Sequence, residues 1–243
     1  MKPLLRWLAL VLAALVALQL FFVLRIAAMA VIAPESTTFQ RSEAWRIVSE
    51  KHRLPWRQQW VPYERISDHL KRAVIASEDG SFVNHDGVDW DALEKAWARN
   101  AKAEEIYARR AALAPARART PKIVGGSTIT QQLAKNLLLS GERSMMRKGQ
   151  EFVLTMALEH TLSKQRILEI YLNSVEWGDG VFGAEAAAQH YFRKSASRLS
   201  PYEAARLAVM LPQPKRFEKM PGSSYLAGRT STIVARMRDA ELP

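Results

Sequence analysis

The chain contains no cysteine, which excludes a disulfide framework and a thiolate zinc site. Acidic residues are in short supply. Against 35 Lys and Arg there are 24 Asp and Glu, so the formal charge is +11. Such a balance favours anionic partners: nucleic acid, an acidic lipid surface or a phosphorylated substrate. Sustained alternation of apolar and polar residues is scarce, so at most a few short strands are expected. No internal repeat is visible. What remains is a chain of 243 residues, long enough for one substantial domain with its own core.

Only one long hydrophobic run stands out. From Trp7 to Leu24 the sequence WLALVLAALVALQLFFVL has Gln19 as its only strongly polar residue, and apolar residues continue past Arg25 to Ala33. Roughly 20 such residues span a bilayer, whereas a cleaved signal peptide has an apolar region of about 7–15. Ala28-Met29-Ala30 nevertheless resembles a cleavage site. Lys2 and Arg6 precede the run, which keeps the N-terminus in the cytoplasm and places everything after Pro34 outside it. That removes nucleic acid as a partner. The expected organisation is a cytoplasmic N-terminus and transmembrane anchor (1–33), a tether (34–60) and one mostly helical domain (61–243).

Helical periodicity dominates the domain. Ile66, Leu70, Ala73 and Val74 form one apolar stripe, and Ile129, Leu133 and Leu137 another. Phe152, Val153, Met156 and Ala157 form a third, and Ile167, Leu168, Tyr171 and Leu172 a fourth. The segment from Trp97 to Lys122 is different: rich in Ala and Arg and broken by Pro115 and Pro121. It reads as a solvated helix followed by a basic loop, or as a flap over a membrane-facing cleft.

Four stretches could carry chemistry. In GGSTITQQLAKN (125–136), Thr128 and Gln131 fit a capping box, and the glycines let the backbone approach a ligand. The helix start offers free N–H groups and partial positive charge, a setting that suits phosphate. Ser127, Gln131 and Lys135 are spaced to share a face opposite Ile129, Leu133 and Leu137. A well-capped surface helix fits the same pattern.

In SEDGSFVNHDG (77–87), Asp79-Gly80 is a turn signal that ends a helix at Glu78. The helix C-terminus disfavours a second anion there, so partial burial would raise the Glu78 pKa toward that of a general base or acid. A turn bearing solvated acids, with His85 in a structural hydrogen bond, is the plainer alternative; His85 and Asp86 fall short of a metal-site pattern. Farther on, Arg147, Lys148 and Glu151 meet on one helix face, either as a surface ion pair or as a carboxylate held among cations beside a diphosphate, with Arg143 a turn earlier. The stretch KQRILEIYLNSVEWGDGVFGAEAAAQHYF (164–192) reads as scaffold that shapes a cleft.

Taken together, EDGSFVNHDG, GGSTITQQLAKN, RKGQE, ILEIYLN…GDGVFGAEAAAQHYF and LSPYEAARLAVMLPQPKRF resemble the peptidoglycan glycosyltransferase family, over about residues 60 to 217. That family comprises monofunctional biosynthetic transglycosylases and modules of class A penicillin-binding proteins. The chain lacks S-x-x-K and K-T-G and ends too soon for a transpeptidase module, so the monofunctional form is expected.

The resemblance implies a mainly α, two-lobed, lysozyme-like glycosyltransferase domain behind one N-terminal transmembrane helix, with a single-pass topology in the bacterial inner membrane and a periplasmic catalytic domain. It implies polymerisation of lipid II into β-1,4-linked glycan with inversion and release of polyprenyl diphosphate. Carried over by position, Glu78 is the catalytic base and Glu151 the second catalytic carboxylate. Ser127, Gln131, Gln132, Lys135, Arg143, Arg147 and Lys148 are the substrate-binding positions. No protein-bound metal is expected, although the resemblance leaves room for a divalent ion (Mg or Mn) at the diphosphate. The partners it implies are lipid II, the growing strand, membrane lipid and proteins of cell-wall synthesis or division. The competing readings are a lysozyme-like lytic enzyme and a non-catalytic membrane-anchored scaffold. The Ala/Arg-rich segment is longer than the family pattern leads one to expect.

Overall fold

The computed structural model describes residues 2–113, 120–121, 123, 125–139, 141 and 144–243. The fold is mainly α. The first helix, α1 (Lys2–Ala28), has its apolar side chains exposed along most of its length. Among the described residues it alone is long and apolar enough to cross a membrane, with mean hydropathy 2.6 over Pro3–Ala28. Its C-terminal end is built into the domain. Ile26 and Met29 are buried in the main core, and Arg166 Nε donates to the Met29 carbonyl at 2.8 Å. The Ala28-Met29-Ala30 stretch that resembles a cleavage site is therefore a packed junction.

The stretch expected to be a tether is largely structured and packed. It carries α2 (Thr38–Lys51), opened by a capping box between Thr37 and Gln40 and closed by His52 in the left-handed region. Ile47 is fully buried, and Gln40 Nε2 donates to the Ser174 carbonyl at 3.3 Å. Strand β1 (Arg57–Gln58) then joins a three-stranded sheet of order β1-β3-β2, in which β3 (Val181–Phe182) runs parallel to β1 and antiparallel to β2 (Glu176–Gly178). The stretch packs through both kinds of side chain: Ile47 is buried, Trp56 stacks on Phe182 with ring centroids 4.5 Å apart, and Gln40 and Thr38 reach backbone carbonyls across the domain.

Helices α3 (Asp68–Glu78), α9 (Pro201–Met210) and α11 (Ser224–Arg236) pack together as one group. Helix α5 (Ile129–Leu138) packs on α2, α6 (Met145–Thr161) and α7 (Lys164–Ser174) as the other. The stripes on α3, α5 and α7 are buried as their spacing predicts. The stripe on α6 is not. Its buried face is Glu151, Leu154, Thr155 and Leu158, while Phe152 and Val153 are exposed together with Met145 and Met146. Helix α6 docks on α1 through Gln150, which exchanges reciprocal amide hydrogen bonds of 3.0 and 3.1 Å with Gln19, while its apolar residues Phe152 and Val153 stay outside the core.

The Ala/Arg-rich stretch continues a single long helix, α4 (Trp90–Leu113), of which only Ala96 is fully buried. The loop expected after it falls mostly outside the described residues.

Candidate active site

The site is assembled where α3 ends and α5 begins. Helix α3 stops at Glu78, with the Asp79 N–H bonded to the Ile75 carbonyl. Asp79, 6% exposed, turns inward. One oxygen accepts from the Ile129 backbone N–H at 3.0 Å, and the other meets His85 Nε2 at 2.9 Å. His85 Nδ1 accepts from the Gly87 N–H, which leaves the ring proton on Nε2, facing Asp79. Gly87 has φ of +85°, and a Cβ there would come within 2.7 Å of Thr155. Its carbonyl accepts from Thr128 Oγ1 at 2.6 Å. The two motifs are thus one folded unit.

This geometry corrects one expectation. The anion seated at the start of α5 is the Asp79 carboxylate, belonging to the protein itself, so the Ile129 N–H is taken by it and the Gln131 N–H by Thr128 Oγ1, two of the N–H groups that sequence reading offered to a phosphate. The capping box is present, and the Gln131 carboxamide oxygen is engaged in it. Ser127 precedes the helix and is exposed, so it does not extend the face shared by Gln131 and Lys135, on which Gln131 is buried and Lys135 exposed. Because α2, α6 and α7 cover most of α5, only a narrow strip stays open, carrying Gln132, Lys135 and Asn136.

That strip joins the two carboxyls. Gln132 Nε2 donates to Glu78 at 3.1 Å, and its oxygen accepts from the fully buried Tyr171 hydroxyl at 3.0 Å. The carboxamide is locked from both ends, and its N–H is aimed at Glu78. Burial raises the Glu78 pKa above the usual carboxylate range, with Asp79 adding to the rise, while Gln132, Ser77 and Arg229 oppose it. Tyr171 is held well above the ordinary tyrosine value by burial and by the two carboxylates.

At the other end of the strip, Glu151 is 3% exposed. It accepts from Arg147 at 3.3 Å and pairs with Lys148. Lys135 stands within electrostatic reach. Loss of surrounding water lowers its pKa and Arg147 and Lys148 lower it further, with Glu151 opposing them. Gln132, Lys135, Asn136 and Arg147 line a cavity of ≈ 540 Å³ that reaches Thr38 on α2 and Glu176 on β2. Arg143 lies outside the described residues.

The donors around Glu151 do not fit a divalent ion, because both carboxylate oxygens already face cations. Among the described residues, two other groups have ligand atoms close enough to hold a metal: Asp79, His85 and Asp89, and Glu43, Glu176 and Asp179. In the first, Asp79 is taken by Ile129 and His85, and Asp89 by Ser81 and the Ala92 N–H. In the second, Arg46 and Lys51 hold Asp179, and Arg46 and Lys215 hold Glu43, so two of the three acids are already paired.

A family model described as Transglycosylase matches residues 46–238. The chain belongs to the transglycosylase family. Similar members include the biosynthetic peptidoglycan transglycosylase of Burkholderia thailandensis, 55% identical over 93% of this chain and 82% of that protein. That of Herminiimonas arsenicoxydans is 51% identical over 100% and 99%, and that of Paraburkholderia xenovorans 50% over 98% and 94%. The matched region begins inside α2 and runs past α11, so the transglycosylase unit extends at both ends beyond the motifs. Arg229 shows why the C-terminal end matters. It lies on α11, past the last motif, and acts on Glu78. Sequence reading also missed Glu176 and the role of Tyr171, since each looked like a scaffold residue.

Proposed function

We propose that this transglycosylase polymerises lipid II, a disaccharide-pentapeptide on a polyprenyl diphosphate. One observation carries the reading. Along a single strip of α5, a carboxyl with a raised pKa stands at one end and a carboxylate held by cations at the other.

Glu78 takes the proton from the 4-hydroxyl of the acceptor sugar. That oxygen forms a bond to the anomeric carbon of the donor as the bond from that carbon to the phosphate oxygen breaks. Configuration inverts in one displacement, giving a β-1,4 link and free polyprenyl diphosphate, with no covalent glycosyl-enzyme required. Lys135, Arg147, Lys148 and Arg143 take up the negative charge developing on the leaving group. Glu151 aims Arg147 and Lys148, and Gln132 aims Glu78. Helix α1 crosses the inner membrane with the domain on the periplasmic side, and the outward apolar face of α6 lies at the level of the lipid.

Incubation of the full-length protein with lipid II tests this. Polymer and released polyprenyl diphosphate are expected, in chelator as well as without it, with inhibition by moenomycin. Shortening of purified sacculi in place of polymer would turn the assignment to a lytic enzyme.

A further inference from the structure

Of the buried side-chain polar atoms that lack a hydrogen-bond partner among the described residues, two belong to side chains that line the same cavity. They are Arg147 Nε and Glu176 Oε1. One is a donor and the other an acceptor, contributed by different elements, α6 and β2. Glu176 is 6% exposed. Lys215 Nζ makes a 3.4 Å ion pair with Oε1, while its short hydrogen bond goes to Glu43, so Oε1 keeps acceptor capacity. Leaving a buried acceptor unmatched is costly, which makes this oxygen a place where a ligand donor would be gained at little expense.

The surrounding charge decides what kind of donor. Lys135 and Arg147 line the cavity, and Lys215 stands beside Glu176. Those three cations disfavour an ammonium group at Oε1, and the carboxyl itself disfavours an anion. A neutral O–H or N–H is left. The cavity therefore offers a cationic wall with a spare donor and an opposing carboxyl with a spare acceptor, the complement of a sugar phosphate bearing hydroxyl or acetamido groups.

We infer that Glu176 is a specificity residue of the donor site: its free carboxyl oxygen accepts a hydrogen bond from a hydroxyl or acetamido N–H of the sugar whose diphosphate faces Lys135 and Arg147. This rests on the lipid II reading above.

Burial pushes the Glu176 pKa up to about 7. Lys215 holds it down against that rise, and Glu43 and Asp179 add to it; Tyr191 on α8 feels the same carboxylate. The ionised form is the stronger acceptor, so KM for lipid II falls as pH rises through about 7.

The test compares full-length wild type, Glu176→Gln and Glu176→Ala in detergent micelles. Steady-state kinetics are measured across that pH range, and direct lipid II binding is followed by tryptophan fluorescence. Glu176→Gln is expected to raise KM about fivefold with kcat changed less than about twofold, to flatten the KM–pH profile and to weaken binding in parallel. Glu176→Ala is expected to do so more strongly. KM, profile and affinity unchanged in both variants would overturn the inference. A wild type that binds lipid II without polymerising it would overturn the function reading alone. Should the Glu176 variants fail to fold, Lys215→Met keeps the carboxyl in place and removes the cation that restrains it. The KM transition is then expected to move to higher pH, and a transition that stays in place would equally overturn the inference.

Discussion

Glu78 and Glu151 face the same strip of α5 from opposite ends, yet their surroundings differ in kind. Glu78 is half-buried, and its hydrogen bonds come from the neutral groups of Gln132 and Ser77. Its pKa is raised because burial outweighs that help and the influence of Arg229. Glu151 is more deeply buried but has a cation at each oxygen. The first environment suits a carboxyl that must accept a proton; the second suits one that must stay charged and hold cations in place. Two glutamates are given different surroundings by what packs around them.

Replacement of each carboxyl would separate these roles. Glu78→Gln is expected to lower kcat for lipid II polymerisation at least about 100-fold, with circular dichroism and thermal midpoint unchanged. Equal turnover in the variant would end the comparison. Glu151→Gln releases Arg147 and Lys148 and is expected to cost about 10- to 100-fold, with a steeper loss on adding salt because the freed cations are screened.

Gln132→Ala sharpens the Glu78 side. It removes a hydrogen bond that lowers the Glu78 pKa, so the pKa rises and the rate climbs with pH at a higher pH than in wild type. At neutral pH a smaller ionised fraction would reduce kcat by less than about tenfold. Arg229→Leu should shift the profile in the same direction, whereas neither change should alter the salt response of Glu151→Gln. The smallest effect is structural. Asp79→Asn disturbs the bond to the Ile129 N–H and the one to His85, and should cost about 1–3 kcal/mol. For a chain of this length that lowers the thermal midpoint by about 2–4 °C per kcal/mol, read by calorimetry.

Much of this arrangement was legible beforehand. Turn chemistry at Asp79-Gly80 ended α3 at Glu78, and the Thr128–Gln131 box started α5, because both signals are local. The i, i+3 and i, i+4 spacing brought Lys148 and Arg147 to Glu151 for the same reason. What failed was long-range. The start of α5 looked ready for a phosphate, but the anion that fills it comes from 50 residues earlier in the chain. The apolar stripe on α6 looked like core, yet Phe152 and Val153 are exposed, and Gln150 on the same helix pairs with Gln19 across 131 positions. Residues 34–60 read as a tether, yet their partners are distant in sequence: Trp56 and Phe39 pack on Phe182, and Gln40 reaches Ser174.

Local chemistry, then, was enough to set the elements and the anchor, while Glu78 and Glu151 were singled out by the family resemblance. Hydrogen bonds and periodicity over a few residues depend on nothing distant. Which groups remain unpaired, which face of α6 turns outward, and how Arg229, Tyr171 and Glu176 come to surround the site were decided only by packing. Burial and charge proximity are properties of the assembled molecule, and they are what move a carboxyl from an ordinary acid to a working one.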